Sequence, residues 1–440
     1  MGSLISQYAG WSNIGPDQAI IWSGLTGFWG LVPQSIIALI RENNLDKISE
    51  EIKKGLIKNG FLVDENIDEL ALAKECVTRA AQGLMKTHRV ILILNRDCNC
   101  RCTYCYQLHN RSKRAECMDS KVIEKSVQYA RKIVPPGSKL TVSLFGGEPL
   151  LTLKILSEVV TSFREAVSNG FFQDVRFWMT TNGTLFNEDV QKLFSERQDL
   201  DSVQITFDGL EKNHDAVRHL SNGTGTFSTI WNNLGSIIRV ADSVRIRINV
   251  RRDNISDVIA LSDRIIVQFG TEKIGVYVAP IRNYPGASID PQQVLANKEF
   301  GKVLEKFYRW YFKRTGKIHP DLFPRRKYVG CVSAFSVPKW ISPNGALYQC
   351  QHQQDLKVLP SSSIFNDKDM HNFADLRHTP LQNQTCIRCK FLAFCGGACP
   401  ADITVGEVYG YDCQLWVMQM KLLGTLLSQS EKSKKITRFI

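Results

Sequence analysis

The sequence predicts an α/β fold, a partial (β/α)6 TIM-like barrel with a small N-terminal α+β domain and a C-terminal cysteine-rich domain. Six apolar runs alternate with amphipathic stretches through the middle of the chain. About 85 residues precede these runs, and seven of the 13 cysteines follow them. Strands that alternate with helices form parallel sheets, so an open doubly wound sheet is the alternative to the barrel.

The composition is that of a folded protein with more than one domain. Of the 440 residues, 43% are hydrophobic and 22% are charged, which is near the average for folded proteins. A chain of this length exceeds the size of one ordinary core. The formal net charge of +12 indicates an anionic partner, and nucleic acid, an anionic surface or an acidic peptide would each fit it.

The pattern of apolar residues and cysteines favours a cytoplasmic protein that binds no membrane. Residues 18–40 form the longest uncharged stretch, but Pro33 and several polar residues make it a poor membrane span. No basic start followed by an apolar run opens the sequence. Ten cysteines lie in tight clusters or at motif spacing, which is typical of metal ligands in a reducing compartment rather than of disulfides.

Residues 1–85 are predicted to form the N-terminal domain. Loosely alternating apolar residues around Gly24 and Gly27 predict a hairpin over 19–32, and Pro33 is well placed to open a helix. Apolar residues at helical spacing predict a helix over 45–60 that ends at Gly60, and a second helix over 67–85.

Residues 86–282 are predicted to form the barrel. Its strands are expected at 90–94, 140–145, 175–179, 203–207, 244–250 and 274–278, and its helices at 120–133, 153–168, 187–197, 226–239 and 255–268. A connector over 283–325 carries one helix at 291–314. Residues 326–440 have few long periodic runs, so metal sites are expected to replace a large core there.

Unusual residues follow the ends of these strands. A cysteine cluster comes after the first strand, Gly-Gly-Glu-Pro after the second and Thr-Asn-Gly after the third. Asp208-Gly209 follows the fourth strand and Arg251-Arg252 the fifth. In a parallel barrel the carboxyl ends of the strands share one face, where active sites are built, so these residues are expected to form one site.

The cysteine cluster has the spacing Cys98-x3-Cys102-x2-Cys105. Three thiolates on a short loop can hold three irons of a cubane cluster and leave the fourth iron open. A zinc site with Cys100 as fourth ligand is the alternative. The loop, with Tyr104 and Tyr106 on either side of its last cysteine, resembles the radical S-adenosylmethionine (SAM) superfamily. That resemblance implies that SAM binds the open iron and is cleaved reductively to a 5'-deoxyadenosyl radical.

Other strand ends resemble the same superfamily. Gly146, Gly147, Glu148 and Pro149 look like its GGEP motif, which implies contact with the SAM amino group. The resemblance also assigns Asn182, Asp208 and Arg218 to the cofactor site, with the Arg218 guanidinium neutralising the SAM carboxylate. Turn residues and a solvated helix charge are the alternative interpretation of these three positions.

The C-terminal cysteines resemble the SPASM domain, an extension of radical SAM enzymes that act on peptides and proteins. The resemblance implies two auxiliary 4Fe–4S clusters and therefore three clusters in all. One cluster is assigned to Cys386, Cys389, Cys395 and Cys413. The other is assigned to Cys331, Cys350 and Cys399, and its fourth ligand is not identified. Structural zinc is the competing interpretation.

The resemblance favours a peptide maturase that abstracts hydrogen from a ribosomally made peptide and forms a thioether or carbon–carbon crosslink or another modification. A sulfatase-maturing enzyme that forms formylglycine is the alternative. A non-catalytic iron–sulfur or zinc protein is the alternative of another class. The expected partners are a precursor peptide with an acidic leader and an electron donor such as flavodoxin or ferredoxin. Residues 1–85 are expected to bind the leader, and a structural cap on the barrel is the alternative role of this segment. No nucleic acid is expected, and no residue is assigned as catalytic base.

Overall fold

The computed structural model describes residues 3–84, 88–105, 107, 116–282, 289–330, 337–350, 362–366, 380–397 and 413–430. The chain divides into two compact units. Unit 1 contains residues 1–85, 296–335 and 374–440, and unit 2 contains residues 86–295 and 336–373. The domain boundaries predicted from the sequence differ from this division, because they place residues 1–85 and the C-terminal segment in separate domains. No helix in the described ranges is long and apolar enough to cross a membrane.

The N-terminal part of unit 1 is a small α+β structure. Strands β2, β3 and β4 form an antiparallel meander, and β1 pairs with β5. The predicted hairpin over 19–32 corresponds to β3 and β4. The elements are β1 (Ser3–Ile5), β2 (Ala9–Asn13), β3 (Gln18–Ser23), β4 (Trp29–Pro33), α1 (Gln34–Arg41), α2 (Glu50–Lys58), β5 (Leu62–Asp64) and α3 (Glu69–Leu84).

The predicted βα rhythm is present in unit 2, where six parallel strands alternate with helices. The elements are β6 (Arg89–Ile93), α4 (Ser120–Ile133), β7 (Lys139–Phe145), α5 (Leu153–Ser168), β8 (Asp174–Thr180), α6 (Glu188–Ser195), β9 (Leu200–Phe207), α7 (Glu211–Asp215), α8 (Phe227–Val240), β10 (Ser243–Val250), α9 (Asp257–Phe269) and β11 (Ile274–Pro280). The strands lie in chain order from β6 to β11. A doubly wound sheet reverses its strand order, so this sheet has the winding of a barrel.

Local chemistry explains where the helices of unit 2 begin. The Asp119 carboxylate accepts a hydrogen bond from the Val122 amide at the start of α4, and Asn187 does the same for Val190 at the start of α6. Right-handed crossovers between sequential parallel strands put these helices on one side of the sheet. The strand residues that face that side, such as Val142 and Phe177, are fully buried.

Residues outside the predicted barrel extend its sheet. Beyond α10 (Asn297–Thr315), strand β12 (Trp340–Ile341) pairs with β6 in parallel. Strands β13 (Ala346–Tyr348) and β14 (Ser362–Ser363) then add antiparallel to it. The predicted connector helix over 291–314 begins later than expected, because residues Pro291–Gln293 form a 3₁₀ turn.

The C-terminal part of unit 1 packs on its N-terminal part. Its helices are α11 (Gln384–Ile387), α12 (Leu392–Cys395) and α13 (Cys413–Gln429), the last of which the sequence analysis does not predict. The Trp22 indole stacks on Phe391 at 5.1 Å, and Phe391 stacks on Trp416 at 6.2 Å. The Tyr8 hydroxyl donates to the Ile387 carbonyl at 2.8 Å. The first 85 residues therefore share a core with the segment that carries Cys386 and Cys389.

A buried ion pair between α5 and the start of β9 gives a test of the packing in unit 2. Arg164 donates to both oxygens of Asp199 at 2.7 Å, and the two side chains are only 12% and 7% exposed. Replacing Arg164 with Met leaves the carboxylate buried without its partner, so the free energy of unfolding should fall by about 3 kcal/mol in urea denaturation. The control Arg239→Met removes an exposed arginine that donates a hydrogen bond to the Ser236 hydroxyl, and should change stability by less than about 0.5 kcal/mol. Equal losses in both variants would contradict this role of the ion pair.

Candidate cluster and cofactor site

The Cys98-x3-Cys102-x2-Cys105 loop leaves the carboxyl end of β6. The Asp97 carboxylate accepts a hydrogen bond from the Cys98 amide at 2.8 Å, and the Cys105 amide donates to the Cys102 carbonyl at 3.1 Å. The Cys100 amide donates to the Cys98 sulfur at 3.3 Å. Burial raises the pKa of the Cys102 thiol to about 12, so a bound cation is needed to hold it as a thiolate. The iron of a cluster meets that need.

The Gly-Gly-Glu-Pro turn packs its backbone against this loop. A Cβ on Gly146 would lie 2.6 Å from the Asn95 carbonyl, and one on Gly147 would collide with the Asp97 carbonyl. The Gly147 amide donates to Asn95 at 3.0 Å, and the Glu148 amide donates to Asp97 at 2.7 Å. Glycine is required at both positions because the two backbones touch. Pro149 opens a buried 3₁₀ turn behind them.

The Glu148 carboxylate is fully buried and holds the next strand end in place. It accepts hydrogen bonds from the Thr181 hydroxyl at 2.6 Å, the Asn182 amide at 2.7 Å and the Leu150 amide at 3.0 Å. Burial raises its pKa to about 7. The Asn182 side chain in turn reaches Asn99 at 2.8 Å and the Cys98 sulfur at 3.7 Å. The Glu148 carboxylate thus positions Asn182 beside the cysteine loop.

Asp208 and Arg218 form the centre of a second hydrogen-bonded group. The Asp208 carboxylate accepts from Arg218 Nε at 2.8 Å and from the Tyr104 hydroxyl at 2.7 Å. Arg218 Nη2 and Asn249 donate to the Tyr104 oxygen at 2.6 and 3.0 Å. Burial alone would raise the pKa of Asp208, but the Arg218 charge and these hydrogen bonds lower it below its usual value. The carboxylate therefore remains ionised and fixes the guanidinium.

His214 and Asp215 support Arg218 from behind. The Thr226 hydroxyl donates its one hydrogen to the Arg218 carbonyl at 2.7 Å. Its oxygen can therefore only accept from His214, so His214 Nε2 is the donor in the 3.0 Å hydrogen bond between them. His214 Nδ1 accepts from the Asp208 amide at 3.2 Å, which makes the ring neutral. Asp215 accepts from the Thr226 amide at 2.8 Å. These two residues position the arginine.

Three residues of this site are absent from the sequence-based list. Tyr104 and Asn249 complete the hydrogen bonds around Arg218. Arg251 is 2% exposed, and its Nη1 and Asp208 Oδ1 are buried without a hydrogen-bond partner in the described ranges. Such groups fit a polar ligand that pairs with them, as the amino-acid or ribose groups of SAM would. The sequence signals for these residues were the position of Tyr104 within the cysteine loop and the position of Arg251 after the fifth strand.

The structure describes only some of the predicted auxiliary-cluster ligands. Cys386 lies on α11, whose first turn is capped by Asn383. Cys389 follows, and Cys395 ends α12. Cys350 lies in unit 2, two residues after the end of β13. Tyr106, Cys331 and Cys399 lie outside the described residues, and the side chain of Cys413 does as well. Within the described ranges, no three His, Cys, Asp or Glu side chains are placed to hold one metal ion.

Two glycines bring together the chain segments that carry Cys331 and Cys395. The Gly330 amide donates to the Gly396 carbonyl at 2.8 Å, and a Cβ on Gly330 would lie 2.5 Å from the Gly397 carbonyl. Gly396 has a φ of 65°, which favours glycine. The backbone before Cys331 therefore contacts the backbone after Cys395.

Comparison with known proteins finds a family match within the barrel. Residues 92–265 match the family described as the Radical SAM superfamily. The chain is 30% identical over 159 residues to a cysteine-type anaerobic sulfatase-maturating enzyme of Clostridium novyi. That alignment covers 35% of this chain and 40% of the relative.

Solved structures share the fold over most of the chain. The structure of native anSMEcpe with bound AdoMet and the Cp18Cys peptide has a TM-score of 0.58 at 18% identity, and the match covers 78% of this chain and 98% of the other. Streptococcus suis SuiB bound to its precursor peptide SuiA has a TM-score of 0.56 at 16% identity, with 92% and 97% coverage. Both likenesses concern the fold.

The buried His214 gives a prediction for the pH dependence of stability. Burial lowers its pKa from 6.5 to about 4, so between these pH values the unfolded state binds more protons than the folded state. Its contribution to stability is present above pH 6.5 and is lost as the pH falls toward 4. We expect His214→Asn, which retains an acceptor for the Asp208 amide, to reduce this acid-side loss by about 3 kcal/mol. Urea denaturation at pH 7.5, 6 and 4.5 measures it, and parallel profiles of variant and wild type would contradict it.

Proposed function

We propose that the chain is a radical SAM enzyme that modifies a ribosomally made peptide by abstracting one of its hydrogens. The family implies a 4Fe–4S cluster and SAM. When both are bound, reductive cleavage of SAM supplies the 5'-deoxyadenosyl radical. The observation that carries the proposal is the cysteine loop held by the Gly146–Gly147 backbone within the matched residues.

We assign cluster binding to Cys98, Cys102 and Cys105. We propose that SAM contacts the Gly-Gly-Glu-Pro turn and Tyr106. Arg218 has Nε and Nη2 engaged by Asp208 and Tyr104, which leaves Nη1 for the SAM carboxylate. Arg251 adds a second guanidinium at the neighbouring strand end. In this assignment the Glu148 carboxylate acts through the Asn182 loop, because its oxygens are occupied by protein donors.

Crosslink formation, as a thioether or a carbon–carbon bond, is the proposed modification. The 92% coverage by SuiB, which was solved with its precursor peptide, supports a peptide substrate. Formylglycine formation is the second candidate, and the 30% identity with the sulfatase-maturating enzyme favours it. Coexpression with neighbouring small open reading frames, followed by mass spectrometry, separates the two: a crosslink removes hydrogens from two residues, whereas formylglycine changes one Cys or Ser.

Residues 1–85 are proposed to bind the peptide leader. Strand β4 is an edge of the meander in the described part of the chain, and a peptide can add to an edge as an extra strand. A truncation at residue 84 would not test this, because Trp22 and Tyr8 belong to the same core as residues 387–391. Point substitutions along β4 are the better test. An acidic leader would meet a chain of net charge +12 at an increased rate.

The proposed chemistry needs an electron donor, for which flavodoxin or ferredoxin is suited, and a reducing compartment such as the cytoplasm. Two further 4Fe–4S clusters are proposed in the cysteine-rich segment. Cys386, Cys389, Cys395 and Cys413 would hold one, and Cys331, Cys350 and Cys399 the other. The Gly330–Gly396 contact is compatible with neighbouring ligands from both sets.

The SAM-binding cluster can be tested by removing its ligands. Changing Cys98, Cys102 and Cys105 together to Ala should abolish 5'-deoxyadenosine formation, because SAM cleavage needs the open iron of that cluster alone. Iron content should fall to about two thirds of the wild-type value if three cubane clusters are present. The Cys76→Ala variant, at a cysteine outside the motifs, is the matched control and should behave like wild type. Deoxyadenosine formed at the wild-type rate by the triple variant would rule out the assignment. An absence of SAM cleavage by the reconstituted wild type would contradict the proposed function and favour the non-catalytic alternative.

The auxiliary clusters are tested by Cys386→Ala with Cys389→Ala. This double variant should lose about one third of its iron and stop product formation, while SAM cleavage without peptide continues at a reduced rate. Iron analysis and product mass spectrometry measure the two effects. A full yield of modified peptide would contradict an essential role for this cluster.

A further inference from the structure

The central sheet has one face that the helices do not cover. Side chains alternate between the two sides of a strand, and the helix-facing ones, such as Val90 and Ile246, are fully buried. We call the opposite side the inner face. It is unusually polar for the middle of a barrel, and it carries Arg89, Ser143, Trp178, Gln204, Arg245 and Arg247.

A cavity of ≈ 280 Å³ lies on the inner face. Arg89 stacks on the Trp178 ring at 4.2 Å and donates from Nε to the Ser143 hydroxyl at 2.6 Å. Arg245 lies over the Tyr277 ring at 4.9 Å. Two guanidiniums therefore reach the cavity from aromatic supports, together with hydrogen-bonding groups. The lining includes Arg89, Ser143, Trp178, Gln204, Arg245 and Trp340.

Arg245 and its neighbour Arg247 have no carboxylate partner among the described residues. Arg245 is exposed and contacts the Tyr277 ring, while Arg247 donates from Nε to Asn249 at 2.7 Å. Arg164 and Arg218 in the same unit are instead paired with aspartates. Asp201, an acid close to the cavity, already accepts from the Trp178 indole and lies 4.0 Å from Arg176. Arg89 interacts electrostatically with Asp201, whereas the charges of Arg245 and Arg247 are not neutralised by a carboxylate among the described residues and can act on an anionic ligand.

The strand register places this cavity relative to the SAM site. Arg245 is aligned with Gln204 and Thr180 across the sheet. Four residues further along β10, Asn249 donates to Tyr104 in the group around Arg218. At about 3.3 Å per residue, roughly 13 Å of strand separates Arg245 from Asn249. An extended peptide covers that distance with about four residues.

We infer that the inner-face cavity binds the carboxylate of an Asp or Glu side chain in the substrate peptide, about four residues from the residue that is modified. The inference rests on the proposed peptide-modifying function and adds a sequence preference to it. The Arg245 guanidinium pairs with the carboxylate, Arg89 adds positive charge, and Gln204 supplies an amide. The aromatic rings of Trp178 and Trp340 pack on the stem of the acidic side chain.

The test uses binding of a random peptide mixture to the reconstituted, SAM-loaded enzyme. The probe is a mixture of hexapeptides acetylated at the N-terminus, prepared once with amidated and once with free C-termini. In the amidated arm, carboxylates come only from Asp and Glu side chains. Bound peptides are eluted and their amino-acid composition is compared with the input. The variants are Arg245→Gln, Arg245→Lys and Arg239→Gln, which removes one exposed charge from α8 and controls for net charge.

We expect wild type and Arg239→Gln to enrich Asp and Glu from the amidated mixture. Arg245→Gln should lose this enrichment by about tenfold, the effect of one charge-assisted hydrogen bond, and Arg245→Lys should retain part of it. SAM cleavage without peptide should stay at the wild-type rate in Arg245→Gln, which shows that the variant is folded. Enrichment in the free-C-terminus arm alone would assign the cavity to a terminal carboxylate and overturn the inference.

Equal enrichment by Arg245→Gln and Arg239→Gln would overturn the inference as well, because the preference would then reflect net charge. An absence of acidic enrichment in wild type would do the same. Neither result affects the proposed function, which depends on SAM cleavage and on modification of coexpressed peptides. Conversely, acidic enrichment that depends on Arg245 in an enzyme that modifies no peptide would leave the cavity assignment intact and contradict the proposed function.

Discussion

The candidate site depends on one steric constraint, the backbone contact between the loop after β6 and the loop after β7. Gly147 lies so close to the Asp97 carbonyl that no Cβ fits between them, and the Glu148 amide donates to the same carbonyl. Asp97 is followed directly by Cys98, so this contact determines where the cysteine loop starts. A contact between two backbones leaves less freedom than one between side chains, which makes it a suitable anchor for cluster ligands.

A buried carboxylate extends this anchor to the third strand. Burial of Glu148 is costly unless its oxygens are hydrogen-bonded, and three donors from residues 150, 181 and 182 surround it. Asn182 then closes the arrangement through Asn99 on the cysteine loop. The segments that follow β6, β7 and β8 are joined to one another by these contacts. After β9, the Asp208 carboxylate accepts a hydrogen bond from Arg218 and fixes it, and the neutral His214 accepts from the Asp208 amide.

The sequence predicted the local features of this protein well. Each barrel strand is an apolar run with its own turn signals, and the motif residues follow those runs directly, so both could be identified without knowledge of distant contacts. Strand β12 has only two residues and exists because it pairs with β6 some 250 positions earlier, which no local pattern indicates. Asn249 is an ordinary residue type without a motif spacing, and the cysteine motif that contains Tyr104 does not indicate that its hydroxyl bonds Arg218, so only the fold brings these groups together. The sharing of one core by Trp22 and Phe391 is equally non-local.

The position of the positive charge favours one of the three classes of partner that composition alone leaves open. The net charge of +12 would suit nucleic acid, a membrane surface or an acidic peptide. Within unit 2, Arg164 and Arg218 are each paired with an aspartate, whereas Arg245 and Arg247 on the inner face are not paired with a carboxylate in the described ranges. A cavity of ≈ 280 Å³ admits a side chain and excludes a duplex or a bilayer. Arg245 is exposed and hydrated, so its charge reduces the stability of the free protein little. Its electric field nevertheless attracts an anion that enters along the strands toward the cysteine loop. We therefore propose an acidic peptide as the partner that fits both this charge and this cavity.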